Sequence, residues 1–257
     1  MPHSARLELT ALPAFPLVQP GDDLAELIAM AVTQHAMELA DDDVIVVAQK
    51  IVSKAENRIV DLASIVPSAQ AIAVAAEVDK DPRLVEVILS DSRRIVRRRH
   101  NVLIVEHRLG FIMANGGVDQ SNVGPADGVE RVLILPEDPD RSAETLRTEL
   151  QARFGVRIAV IINDSFGRAW RRGTVGVALG AAGLPALMDK RGDPDLFGRS
   201  LRVTLIGFAD EIAAAASLLM GQADEGLPVV IVRGLRWPAL HTPGTELIRA
   251  EAEDLFR

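Results

Sequence analysis

The stretch RIAVIINDSFGRAWRRG, residues 157–173, opens as an apolar strand and closes on permanent cations. RIAVIIN (157–163) has the apolar run of a strand, with Asn163, Asp164 and Ser165 directly behind it. Arg168, Arg171 and Arg172 then follow, with Trp170 among them. Asn, Asp and Gly at a strand end are ordinary turn chemistry. Turn chemistry does not explain three arginines beside an acid, and these suit a site for a phosphorylated or carboxylated ligand.

Working outward, DVIVVAQKIV (43–52) reads as a second buried strand, and RRIVRRR, NVLIVEH, RVLIL (131–135), 200–208 and PVVIVRG (228–234) as further strands. Residues 22–39 carry the stripe of an amphipathic helix, with Asp22 and Asp23 at its start and His35 near the apolar face as a packed core residue. Helices are also expected over 67–90 (broken near Asp81-Pro82), 142–154 (stopped by Gly155), 210–221 and 245–256. Helices and strands mix along the whole chain, which predicts an α/β or α+β fold of mixed sheets with flanking helices. No repeat, long linker or domain boundary is visible, so residues 1–257 are expected to form one domain.

Composition narrows the function classes. The chain of 257 residues is 48% hydrophobic and 25% charged, as in a globular enzyme or binding protein. A net charge of −8 argues against general nucleic-acid affinity, so an anionic ligand needs a local cationic site. The absence of cysteine excludes disulfides, thiolate catalysis and thiolate metal sites. No signal-peptide pattern and no membrane-length apolar run is visible, so a cytoplasmic protein is expected.

The common enzyme fingerprints are missing: no phosphate-binding loop, no dinucleotide fingerprint, no H-E-x-x-H and no G-x-S-x-G. What remains is four polar clusters where loops leave rigid elements: ANGGVDQSN (114–122), Asn163-Asp164-Ser165, MGQADEG (220–226) and Ser53-Lys54-Ala55-Glu56. Lys54 and Glu56 could form a surface pair, and Arg93, Arg94, Arg97, Arg98 and Arg99 suit a solvated sheet edge. Asp119 and Asp164 are hard oxygen ligands. With a hydroxyl and an amide oxygen they could hold Mg²⁺ or Mn²⁺ and leave positions for phosphate oxygens.

The segments FPLVQPGDDL, VSKAENR, NGGVDQSN and NDSFGRAWRRGTVGVALG, extended by DEIAAAASLLMGQADEGLPVVIVRG, occur in an order and spacing that resembles the coenzyme F-420-0:L-glutamate ligase family, the CofE-type γ-glutamyl ligases. The resemblance runs from about residue 12 to 235. It implies a CofE-like intertwined, dimeric α/β fold in the stand-alone form, without a C-terminal nitroreductase-like domain. It also implies a GTP-dependent ligase that joins L-glutamate to the carboxylate of coenzyme F-420-0, and further glutamates by γ-linkage, through an acyl phosphate with release of GDP and phosphate.

Carried over by position, the resemblance implies a metal site of Asp119, Asp164, Ser165 and Gln222, with two divalent Mg²⁺ or Mn²⁺ ions and a possible K⁺. Ser165 stands where some members have threonine. The nucleotide contacts it implies start with Phe15, Pro16, Leu17 and Val18 and continue with Gln49, Lys50, Lys54 and Asn122. They end with the loop Met220, Gly221, Gln222, Ala223, Asp224, Glu225, Gly226 and Leu227. Gln49-Lys50 replaces a small hydroxylated pair seen in some members, and Asn57 replaces a glycine, which predicts a positive φ there. The candidate catalytic set is Asp119, Asp164, Lys54 and Arg168. Expected partners are the two small-molecule substrates and a second copy of the chain, with no nucleic acid or membrane. A related ligase on another carboxylate, or a non-catalytic metal-dependent nucleotide-binding protein, are the alternatives.

Overall fold

The computed structural model describes residues 6–124 and 127–254. Chain order begins with β1 (Glu8–Ala11), α1 (Leu24–Gln34), β2 (Asp43–Ala48), α2 (Gln49–Ala55) and β3 (Ile59–Asp61). It continues through α3 (Ala69–Val78), α4 (Pro82–Ser90), β4 (Ser92–Arg99), β5 (Val102–His107), β6 (Ile112–Ala114) and β7 (Arg131–Leu133). It closes with α5 (Pro139–Phe154), β8 (Ile158–Gly167), β9 (Thr174–Ala182), β10 (Leu187–Asp189), β11 (Leu205–Gly207), α6 (Phe208–Met220) and β12 (Val229–Arg233). The result is a mixed α/β fold, as the alternation of elements predicts.

The main sheet has the order β1-β12-β2-β8-β9. Only β2 and β8 run parallel; the other pairs are antiparallel. Its central strands carry near-continuous apolar runs, Val44–Val47 in β2, Ile158–Ile162 in β8 and Val229–Val232 in β12, because both faces are covered. Ile45, Val47, Val160 and Ile162 face a layer containing α1 and α5, while Val44, Val46, Ala159 and Ile161 face α6. A second apolar cluster packs α3 and α4 against β5 and β7. Here β4-β5-β6 form a three-stranded sheet, and β3 pairs with β7. Phe111, Met113, Leu135 and Leu179 join the two regions.

Several boundaries differ from the sequence reading, each for a local reason. The first helix spans 24–34, not 22–39: Asp23 accepts from Glu26 N at 2.8 Å as its cap, and Ala36 turns to a φ of 51°. His35 is exposed rather than packed in the core, with Nε2 3.0 Å from the Pro13 carbonyl. The strand expected over 43–52 stops at Ala48, where α2 begins, and Gln49 Nε2 donates to Ser53 Oγ at 2.6 Å across one helical turn. RVLIL shortens to 131–133, and 200–208 to 205–207 with α6 starting at once. RIAVIIN does not end at Asn163; β8 runs on to Gly167.

The helix expected over 245–256 is absent among the described residues of that span; two short 3-10 turns replace it, and residues 255–257 lie outside the described ones. Asp140 explains the first, since its carboxylate accepts Gly244 N at 2.6 Å and Thr245 N at 3.2 Å and ties the chain down on α5. The pair of helices around Asp81-Pro82 and the Gly155 stop are as expected, with Asp81 capping α4 and Gly155 at a φ of 68°. The arginine-rich β4 does lie at a sheet edge.

Candidate active site

The site grows from the parallel pair at the centre of the main sheet. Ala48 of β2 lies opposite Asn163 of β8. Beyond that point the two chains diverge: one turns into α2, while the other continues as Asp164 and Ser165 paired with Val177 and Gly176 of β9. The carboxyl end of a parallel strand pair is where open α/β sheets expose a crevice. A register shift follows Ile162, with Leu179 of β9 as the extra residue, just before Asp164 and Ser165.

Asp119 arrives from the other region. Its backbone exchanges two hydrogen bonds with Leu133, N to O at 2.9 Å and O from N at 2.8 Å, which extends the β3-β7 ladder toward α2. Lys50 meets it there: Nζ is 3.5 Å from Asp119 Oδ1, and donates to Ser121 Oγ at 2.9 Å and to Ser121 O at 3.2 Å. The last loop closes the group. Ser165 Oγ donates to Gln222 Oε1 at 2.7 Å, and Asn122 Nδ2 donates to Ala223 O at 2.9 Å. Four segments distant in sequence thus converge, and the proposed metal residues Asp119, Asp164, Ser165 and Gln222 lie among them.

The electrostatics are those of an acidic centre short of positive charge. Burial, then the Asp119 charge, pushes the Asp164 carboxyl up to about 6, against the Ser165 N–H and Lys50. Burial also raises Asp119, with Lys50 opposing. Lys54, one turn beyond Lys50, is lowered by burial and by the Lys50 charge. No hydrogen bond or ion pair holds its ammonium among the described residues, so Lys54 and Glu56 do not form a surface pair. Glu56 instead accepts Ser142 Oγ and Glu137 N. No group of three or more His or acidic side chains capable of holding a metal occurs among the described residues. The donor set is two carboxylates, a hydroxyl and an amide oxygen, which suits a hard divalent cation completed by water or phosphate oxygens. The mutual charging of two half-buried carboxylates favours such an ion.

The remaining candidates sit around this centre in different ways. Phe15 packs against the core cluster that includes Ile51 and Val52, and Gly21 N donates to Ala55 O, which ties the loop after Pro16 and Leu17 to the end of α2. Val18, Gln49 and Met220 are buried, so Val18 and Met220 offer a ligand little beyond backbone. Gln49 Oε1 and Asn163 Oδ1 are buried without a partner, while Asn163 Nδ2 donates to Ser217 Oγ at 3.0 Å. In the loop from Gly221 to Leu227, Glu225 accepts Ala223 N at 2.8 Å, and Gln222, Asp224 and Gly226 are exposed. Arg168, Arg171 and Arg172 are exposed on the β8-β9 turn, where Arg168 donates to Gly173 O at 3.2 Å. Asn57 takes its expected positive φ of 56°. Sequence reasoning placed Ser121, the partner of Lys50, and Asn163 in its polar clusters but gave neither a role; membership of those motifs was their only signal.

Two carboxylates sharing the charge of Lys50, with a second lysine one helical turn away, suit an α/β enzyme that handles anions. The chain matches the model of the family described as F420-0:Gamma-glutamyl ligase over residues 14–234 and belongs to that family, which makes it an enzyme of the ligase class. It is 48% identical over 253 residues to the coenzyme F420:L-glutamate ligase of Methanothermobacter thermautotrophicus, covering 98% of this chain and 99% of the relative. The proteins of the same name from Methanopyrus kandleri and Archaeoglobus fulgidus are 47% and 41% identical, over 98% of this chain in each case and 98% and 97% of the relatives. No described helix is long and apolar enough to cross a membrane.

Proposed function

We propose that this chain is a GTP-dependent ligase that joins L-glutamate to the carboxylate of coenzyme F420-0, and then adds further γ-linked glutamates. The observation that carries the reading is the convergence of Asp119, Asp164, Ser165 and Gln222 with Lys50 and Lys54. A carboxylate is a poor electrophile, and both reactants are anions, so charge neutralisation and positioning are the main tasks. In the proposed reaction an oxygen of the acceptor carboxylate attacks the γ-phosphorus and GDP leaves. The amine of glutamate then attacks the acyl carbon, inorganic phosphate leaves with the C–O electron pair, and the amine loses a proton.

Asp119, Asp164, Ser165 and Gln222 would hold Mg²⁺ or Mn²⁺. Such an ion, when bound, neutralises phosphate charge and lowers the barrier to phosphoryl transfer. Lys54, unpartnered and half-buried, stabilises the charge on the transferring phosphoryl group. The 221–227 loop and the stretch from Phe15 to Val18 border the nucleotide. Arg168, with Arg171 and Arg172 on the same turn, meets the carboxylate and phosphate groups of the acceptor. The same reading takes the chain as one ligase domain with the intertwined CofE-like fold, working as a cytoplasmic homodimer.

Incubation of purified protein with GTP, Mg²⁺ or Mn²⁺, L-glutamate and F420-0 should give a product heavier by one glutamyl residue on mass spectrometry, with GDP formed in equal amount. GDP formation without a glutamylated product, or no reaction beside an active control, would sink the assignment.

A further inference from the structure

We propose that Lys50 is a built-in monovalent cation: its ammonium fills an oxygen cradle made by Asp119 and Ser121, so that the site needs no exchangeable potassium ion there. The inference rests on the reading of the Asp119–Asp164 centre as a cation site. Three oxygens of different kinds surround Nζ: the Ser121 hydroxyl at 2.9 Å, the Ser121 carbonyl at 3.2 Å and the Asp119 carboxylate at 3.5 Å. A carboxylate, a carbonyl and a hydroxyl are a donor mix for a hard cation, and an ammonium has the charge of K⁺, a similar size, and N–H groups to point at each oxygen.

The lysine is held there by its helix. Ile51 and Val52, next in the helix, are buried in the core that α1 and α5 share, and the Gln49–Ser53 hydrogen bond spans the same turn. Its side chain is about 29% exposed, so the charge is partly desolvated and strongly felt by its neighbours. Facing it are Asp119, Asp164 and Lys54. Lys50 offsets one of two carboxylate charges, and leaves the rest of the centre to a divalent ion and Lys54 to the phosphates.

The test compares wild type with Lys50→Met, an uncharged side chain of similar length, in KCl, NH₄Cl, NaCl and tetramethylammonium chloride at one ionic strength. Two quantities are read: ligase turnover, and the Tm of the ligand-free protein. Wild type should turn over equally, within about twofold, in all four salts, because its cation is covalently attached. Lys50→Met should be slower by about tenfold or more in sodium, be rescued by K⁺ or NH₄⁺, and gain roughly 2–4 °C in Tm from K⁺ over Na⁺.

A wild type as K⁺-dependent as the variant, or a variant with no K⁺-specific response in either quantity, would overturn the proposal. If Lys50→Met fails to fold, Lys50→Thr reads the same response, since it supplies an oxygen to the vacated cradle. The Mn²⁺-induced rise in wild-type Tm is measured separately. Its absence refutes the divalent site while the K⁺ comparison still decides the role of Lys50.

Discussion

The Asp164 carboxyl lies in a setting that favours its neutral form, first by burial and then by the charge of Asp119, and its pKa rises from 3.8 to about 6. The folded chain therefore binds a proton more readily than the unfolded chain between these values, and ligand-free stability falls as pH rises through that window. Above about 6 the full penalty is present. Asp164→Asn removes it and keeps an oxygen for the Ser165 N–H, which now bonds Asp164 Oδ1 at 2.7 Å. In chelator at pH 8 the variant should melt above wild type, and the difference should vanish near pH 4. Mn²⁺ should raise the wild-type Tm at pH 8, progressively less toward pH 5, and should not move the variant. An unchanged Mn²⁺ response in Asp164→Asn would remove Asp164 from the cation site. At this scale the sequence makes the two acids conspicuous, Asp164 directly behind an apolar run and Asp119 close behind two glycines. It could not pair Lys50 with Ser121, 71 residues away, since that contact depends on two regions packing together.

Among elements, the comparable feature is Asp91, which stands between α4 and β4 and binds parts of both regions. Its Oδ1 accepts Arg108 Nε at 3.0 Å, its Oδ2 accepts Arg58 Nη2 at 3.3 Å, and His107 Nε2 lies 3.6 Å away. Arg58 also donates to Leu135 O and Arg108 to Glu137 O, so one carboxylate ties α2's exit, β5's end and the entry to α5. The His107 ring and then the Arg108 charge outweigh burial and hold Asp91 down to about 2. The contribution is complete above the ordinary 3.8 and is lost as pH falls toward about 2. Asp91→Asn should cost about 2–4 kcal/mol at pH 7, a drop of roughly 5–10 °C in Tm, and the gap to wild type should close below about pH 3. Equal melting at pH 7 would show that the cluster is not a tie. Elements built on such long-range ties are where sequence reading ran short. β9 was passed over because Gly176 and Gly180 dilute its apolar pattern; a Cβ at either would strike the backbone of α6 or α5, so helix packing demands the glycines. The segment expected as a helix over 245–256 has helix-forming composition, but Asp140 holds the backbone of Gly244 and Thr245 at its start, and only 3-10 turns form among its described residues.

For the whole molecule, the least explained feature is the arm between β10 and β11. It is ordered by its own hydrogen bonds: Lys190 N to Thr204 O at 3.0 Å, Gly192 N to Leu201 O at 2.9 Å, and Asp195 accepting from Phe197 N and Arg199 N. Yet its tip holds Leu196 at 100% exposure and Phe197 at 94%, with Val203 also exposed. A lone two-stranded arm is marginal in water, and apolar side chains at its tip gain nothing there. Burial against a second copy would recover about 1.5–3 kcal/mol for each large side chain. The arm is thus the natural contact of the proposed homodimer, and this can be checked without any substrate. Light scattering coupled to size-exclusion chromatography should give wild type twice the chain mass of 27.7 kDa. Leu196→Asp with Phe197→Asp should give monomer at micromolar concentration while far-UV circular dichroism stays unchanged, because neither side chain supports the fold of its own chain. A double variant that remains dimeric would place the contact elsewhere on the surface, and a monomeric wild type would refute the dimer itself.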